Sequence, residues 1–214
     1  IMKENLLRFK RNQKYLIFDY ETCNLNLGFD INKPWQLGFV VAEGKNIIEE
    51  RDFWLSWPSL KVSAAAARVT GFTQNKYDKL KQDPAKALEE FEKYLYDPEY
   101  IIVGQNLLGF DVYIHNLHRS LLGKSSDYSY ISRIVDTNCI ARAIKMDINF
   151  ERDENFILWQ YKLLNHRQKG IKTNLRQLCK DYSIEFDENC LHEAIYDVRK
   201  TYEVLMKMIW DIEI

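Results

Sequence analysis

The chain has 214 residues, a formal net charge of −1, and 46% apolar and 29% charged residues, the make-up of one globular domain with a single substantial core. No apolar run nears the roughly 20 residues of a membrane span, and the near-neutral charge excludes a protein that simply coats nucleic acid. The cysteines, Cys23, Cys139, Cys179 and Cys190, form no C-x-x-C pair, so neither a zinc knuckle nor a redox motif is encoded. The basic N-terminal stretch lacks the apolar segment of a signal peptide, and the expectation is a cytoplasmic protein.

In chain order, the apolar run Tyr15-Leu16-Ile17-Phe18 opens a buried strand over residues 15–21. A loop over residues 23–34 follows. Residues 35–42 and 47–55 read as two further strands joined by the turn Glu43-Gly44-Lys45-Asn46, a hairpin. The alanine-rich residues 63–69 suit a short helix stopped at Thr70-Gly71. Asp83-Pro84 marks a helix start, and Leu88, Phe91 and Leu95 give that helix an apolar stripe. Residues 100–103 form a short strand leading into Gly104-Gln105-Asn106. The next helix carries Ile114, Leu117, Leu121 and Leu122 and stops at Gly123. Ile134-Val135-Asp136 reads as a strand feeding a helix over residues 137–145. Residues 145–172 are taken as an insertion with some helix. Residues 174–182 form a helix, and a long final helix is expected from residue 190 or 191 to about 210. This order predicts one α/β domain, a mixed sheet with helices packed against it.

Three short acidic blocks stand out: Phe18-Asp19-Tyr20-Glu21-Thr22, Gly109-Phe110-Asp111 and His192-Glu193-Ala194-Ile195-Tyr196-Asp197. Side chains two apart on a strand share a face, so Asp19 and Glu21 stand side by side. Their setting among Leu16, Ile17 and Phe18 is hard to reconcile with a solvated surface, because buried charge without a partner costs several kcal/mol. Two such carboxylates call for a divalent cation between them. Asp111 opens a helix after a strand and loop, where the helix dipole alone favours an acid. His192 and Asp197 are expected on the final helix, bordering one site from adjacent stripes. His192-Glu193 lacks the second histidine of H-E-x-x-H, which disfavours zinc-protease chemistry. His115 and His118 share a helix face and are read as a partly exposed surface in preference to metal ligands, with Asp111 four residues before His115 as a candidate partner for it. Cys23 is read as an incidental loop residue rather than a nucleophile.

Together and in this order the blocks resemble the DEDDh exonucleases, 3′-to-5′ exonucleases of ribonuclease-H-like fold. The resemblance rests on Asp19-x-Glu21 with Thr22 following, on Asn106 with Phe110-Asp111, and on His192, four residues, Asp197. Thr70-Gly71-Phe72-Thr73 and Val135-Asp136-Thr137 are further echoes. It spans about residues 15–208. Gln105 departs from the pattern, standing where many relatives have His. The resemblance implies a metal-dependent exonuclease acting on the 3′ end of single-stranded DNA and releasing nucleoside 5′-monophosphates. Two Mg²⁺ or Mn²⁺ ions about 3.5–4 Å apart would be held by Asp19, Glu21, Asp111 and Asp197, all oxygen ligands. His192 would be the general base. Thr22, Asn106 and Leu25 are candidate substrate contacts, with Leu25, Leu27 and Phe29 either packing on the terminal base or covering the core. DNA is favoured as substrate. An exoribonuclease resembling oligoribonuclease, and a non-catalytic nucleic-acid-binding or interaction module, are the competing readings. A polymerase or repair complex is an allowed partner, and oligomeric state is not encoded.

Overall fold

In the computed structural model, which describes residues 7–27, 32–151, 153–166 and 168–214, the apolar run at residues 15–18 lies inside a mixed sheet. Its strands are β1 (Lys14–Thr22), β2 (Pro34–Glu43), β3 (Asn46–Leu55), β4 (Lys81–Gln82), β5 (Tyr100–Gly104) and β6 (Ile134–Asp136). They lie in the order β4-β3-β2-β1-β5-β6. The β1–β2 and β2–β3 pairs are antiparallel, and β1–β5, β5–β6 and β3–β4 are parallel. The C-terminal ends of β1, β5 and β6 therefore open on one edge of the sheet. The strand order switches direction at β1, the place where open α/β sheets form a crevice.

The helices are α1 (Ala64–Thr70), α2 (Gln74–Leu80), α3 (Pro84–Leu95), α4 (Asp111–Leu121), α5 (Thr137–Met146), α6 (Phe156–Asn165), α7 (Leu175–Asp181) and α8 (Ala194–Met208). Their starts follow local chemistry. Ser63, Asp83, Asp136, Asn155 and Asn174 each accept a backbone N–H as an N-cap. Gly71 ends α1 at φ 67°, a left-handed geometry that glycine adopts without Cβ strain. Helix α2 and strand β4 were not expected from the sequence; the polar, exposed residues 74–82 give little periodic signal, and Tyr77 alone anchors α2 inward.

Residues Tyr15, Leu16, Ile17 and Phe18 are all buried, so helices cover both faces of β1. Ring contacts identify the faces. Phe18 meets Phe91 of α3 at 4.9 Å and Tyr20 meets His118 of α4 at 6.0 Å, whereas Tyr15 meets Tyr202 of α8 at 6.4 Å. Strand alternation then places Asp19 and Glu21 on the face that α8 covers. A smaller apolar cluster of Cys23, Trp35, Trp54 and Tyr77, with Phe72 against it, fastens α1 and α2 to the sheet edge. Residues 147–170 carry α6, whose Trp159 and Leu163 lie in the main core.

One contact sets how closely α8 approaches the sheet. Gly38 on β2 pairs with Asp19, and a Cβ there would fall 2.7 Å from the Ile195 backbone nitrogen and 2.8 Å from the Ala194 carbonyl carbon. Only a residue without Cβ admits the helix start this near. Gly38→Ala is expected to cost about 1–3 kcal/mol, read as a lower midpoint in urea unfolding. An unchanged midpoint would show that the start of α8 is free to shift.

Candidate active site

Strand β1 presents Asp19 and Glu21, both half-buried, on the α8 face. Burial pushes both carboxyls well above the ordinary range. For Asp19 the charges of Asp111, Glu21 and Asp197 push further, and for Glu21 those of Asp197 and Asp111. These acids from β1, α4 and α8 thus feel one another electrostatically.

Asp111 reaches the site through a constructed turn. After β5, Asn106 takes φ 66° and a 3₁₀ turn over Leu107–Gly109 leads to Asp111, the first residue of α4. Asp111 is 2% exposed, and its Oδ1 accepts the backbone N–H of Tyr20 at 2.9 Å. Burial, with Asp136 adding repulsion, raises its pKa to about 8, and the Tyr20 bond only partly offsets this. Asp136 is fully buried and accepts N–H groups from Asn106 at 2.9 Å, Leu108 at 3.0 Å and Asn138 at 3.0 Å. Burial still lifts it to about 6. Asp136 therefore caps α5 and clamps the turn that aims Asp111. Sequence reading noted it only as an echo; an aspartate between a strand and a Thr-Asn helix start was the available signal.

The third block is arranged differently from the expectation. His192 does not lie on the final helix. It has φ 73° and α8 begins at Ala194 with Glu193 as its cap. The left-handed backbone at His192 breaks the helical pattern, and its N–H donates to both carboxylate oxygens of Asp197, each at 3.2 Å. Asp197 sits in the first turn of α8, and burial, outweighing the His192 bond, raises it to about 7. The imidazole of His192 is exposed and its pKa is lowered, first by partial desolvation and then by the Arg176 charge. The shift favours the uncharged imidazole.

The histidines of α4 are the other correction. His115 and His118 are both fully buried. His118 Nε2 donates to the Pro84 carbonyl at 2.9 Å, leaving Nδ1 to accept from the Tyr20 hydroxyl at 3.2 Å. Desolvation lowers its pKa to about 3, so it is a neutral anchor for β1. His115 bonds Tyr130 at 3.1 Å and Glu92 at 3.0 Å, not Asp111. Their surface reading failed because a three-residue spacing marks a face without saying whether it is inner or outer.

Of the substrate-contact candidates, Leu25 is 86% and Leu27 41% exposed, so neither covers the core. Phe29 lies outside the described residues. Thr22 is buried and its hydroxyl donates to the Asn24 carbonyl. Asn106 is half-buried and its Oδ1 accepts from Asn138 at 3.2 Å. Gln105 donates to the Thr173 carbonyl at 2.6 Å. Cys23 is buried and its thiol pKa is raised by burial, which suits packing rather than attack.

Among the described residues, no lysine, arginine or histidine forms an ion pair with Asp19, Glu21, Asp111 or Asp197, and no three His, Cys, Asp or Glu side chains stand in an arrangement that would by itself hold a metal ion. The four acids are coupled through charge rather than through contact. Their chemistry, oxygen donors only and raised protonation in the absence of a counter-charge, fits hard divalent cations.

A mixed sheet with paired acids on its central strand, and further acids from α4 and α8, defines a ribonuclease-H-like α/β domain with a carboxylate site. The RNase_T exonuclease family model matches residues 16–205, and the chain belongs to that family, the DEDD superfamily of 3′-to-5′ exonucleases. It is 27% identical over 207 residues to the PolC-type DNA polymerase III of Bacillus subtilis (strain 168), covering 95% of this chain and 12% of the polymerase. The Bacillus cereus PolC-type polymerase gives 27% identity, with 96% and 12% covered. In structure the chain resembles E. coli exonuclease I bound to single-stranded DNA, with TM-score 0.71, 19% identity, and 91% and 40% of the two chains covered. The apo form of exonuclease I gives TM-score 0.69, 18% identity, and 94% and 42% covered. The chain thus spans well under half the length of these relatives.

The raised acids make stability depend on pH. In an unfolded chain Asp titrates near 3.9, whereas Asp111 and Asp197 titrate at about 8 and about 7 when folded. Between these limits the folded protein holds protons that the unfolded chain has released, so stability falls as pH rises. In EDTA the protein is expected to melt at least about 3 °C lower at pH 8.5 than at pH 5.5, and Asp111→Asn should flatten that difference. A melting temperature that rises over the interval would contradict the buried, uncompensated carboxylates.

Proposed function

We propose that the chain hydrolyses the terminal phosphodiester at the 3′ end of single-stranded DNA and releases nucleoside 5′-monophosphates. The observation that carries this reading is the electrostatic coupling of Asp19, Glu21, Asp111 and Asp197, brought from β1, α4 and α8 to one sheet edge without a cationic partner among the described residues. Asp19, Glu21, Asp111 and Asp197 would hold two Mg²⁺ or Mn²⁺ ions. Bound there, such ions neutralise developing phosphate charge and acidify water.

The chain's own groups account for the rest. Water adds to the phosphorus, the bond to the 3′ oxygen breaks, and that oxygen takes a proton from solvent, so the shortened strand leaves with a 3′-hydroxyl. His192 accepts the proton of the attacking water on its exposed, neutral imidazole, while its backbone N–H holds Asp197. Asp136 fixes the Asp111 turn, and Tyr20 with His118 fixes β1. Leu25, projecting beside the acidic strand, packs on the terminal base. DNA is favoured because the similar PolC proteins are DNA polymerases and exonuclease I is known bound to a dA16 oligonucleotide. The same polymerase relatives support association with a polymerase.

The test is digestion of 5′-labelled single-stranded DNA and of its RNA counterpart with Mg²⁺, Mn²⁺ or EDTA. The expected result is a DNA ladder shortening from the 3′ end, lost in EDTA and in Asp19→Asn. His192→Ala is expected to lower kcat about 10²- to 10³-fold while the metal concentration at half-maximal rate stays unchanged. Cleavage of neither polymer, or a metal-independent rate, would overturn the reading.

A further inference from the structure

Helix α7 has an outer stripe that its own stability does not explain. Leu175, Leu178 and Cys179 are buried, so Arg176 and Lys180 look outward, one turn apart. Like charges at that spacing disfavour a helix by a few tenths of a kcal/mol. Both side chains are about half exposed, and both share one acid, Glu188, at 3.8 Å. Exposed pairs of this kind contribute about 0–1 kcal/mol, so the two cations remain available to an external anion. Residues 168–180 hold Lys169, Lys172, Arg176 and Lys180 and no acid, in a chain whose net charge is −1. Asp181, just beyond, is already paired with Lys145.

The stripe also borders the carboxylate site. Glu188, the acid that both cations share, lies four residues before His192, and α7 packs against α8, the helix that carries Asp197. Just before α7, the Thr173 carbonyl accepts from Gln105 and its hydroxyl bonds Asn138, which in turn donates to Asn106. The segment therefore runs from the Asn106 turn past His192. A strand whose end enters a cluster of four carboxylates needs positive charge to hold its next phosphates, and the acids supply none.

We propose that Arg176 and Lys180 form a phosphate track beside His192 that holds the backbone of the single strand upstream of the cleaved bond. The proposal rests on the single-strand reading above and names how that substrate is held. The track works by counterion release, which makes binding weaken steeply with salt.

The test compares wild type with Arg176→Gln/Lys180→Gln, measuring kcat/KM for a 5′-labelled oligothymidylate with Mg²⁺ between about 50 and 200 mM KCl. The double variant is expected to lose about 1.4 from the log–log salt slope, two single-strand contacts at about 0.7 each, and at least about fivefold in kcat/KM at low salt. The charge-keeping Arg176→Lys/Lys180→Arg should restore most of the slope, and an unchanged melting temperature certifies the fold. Lys86→Gln/Lys93→Gln on α3, which packs on the opposite face of the sheet, should match wild type. A wild type that degrades the strand with a slope the double variant retains overturns the track alone, as does an equal loss in the α3 control. A wild type with no activity on single strands overturns the track together with the reading beneath it.

Discussion

Like charges crowded into a low-dielectric interior repel, and this fold is organised around holding four of them near one another. Asp19 and Glu21 come from the middle of a strand covered on both faces, Asp111 from the start of α4, and Asp197 from the first turn of α8. Each carboxyl is lifted above its ordinary range, with burial the leading cause. Such an arrangement is unfavourable for folding alone. It is sustained by stabilisation elsewhere, in a core that runs from β1 and β2 through α3, α5 and α8.

The supports of the site are therefore as informative as the acids. Asp136 takes three backbone N–H groups and holds the turn before Asp111. His118, kept neutral by burial, locks Tyr20 between the two acids of β1. Gly38 lets the start of α8 lie directly against β2 opposite Asp19. Left-handed backbone at Asn106 and His192 turns the chain sharply just where the second and third acidic blocks enter. Positive-φ residues other than glycine cost energy and persist where surroundings over-determine them. Both cases here are held by backbone hydrogen bonds to a carboxylate, Asp136 or Asp197.

The α/β class and the strands β1, β2, β3, β5 and β6 were legible in the sequence, which also marked the three acidic blocks as the candidate site. Their signals are strong and local: an unbroken apolar run, a hairpin turn, and N-caps such as Asp83 before Pro84. Helix α2 and strand β4 were not legible, because only Tyr77 in residues 74–82 has a buried face. The start of α8 was misplaced because nothing in the composition of residues 190–193 marks a positive φ at a histidine. His115 and His118 were misjudged because the side of a helix that meets a sheet is fixed by tertiary packing. Arg176 went unremarked because a basic residue on a surface helix has no meaning until His192 is placed beside it.

The central claim is that Asp19, Glu21, Asp111 and Asp197 form a cation site. Calorimetric titration of the metal-free protein with Mn²⁺, in the presence of a nucleoside 5′-monophosphate, measures it most directly. The account requires two ions per chain, with loss of at least one in Asp19→Asn. No detectable Mn²⁺ binding, a single ion per chain, or binding that Asp19→Asn leaves unchanged would contradict it.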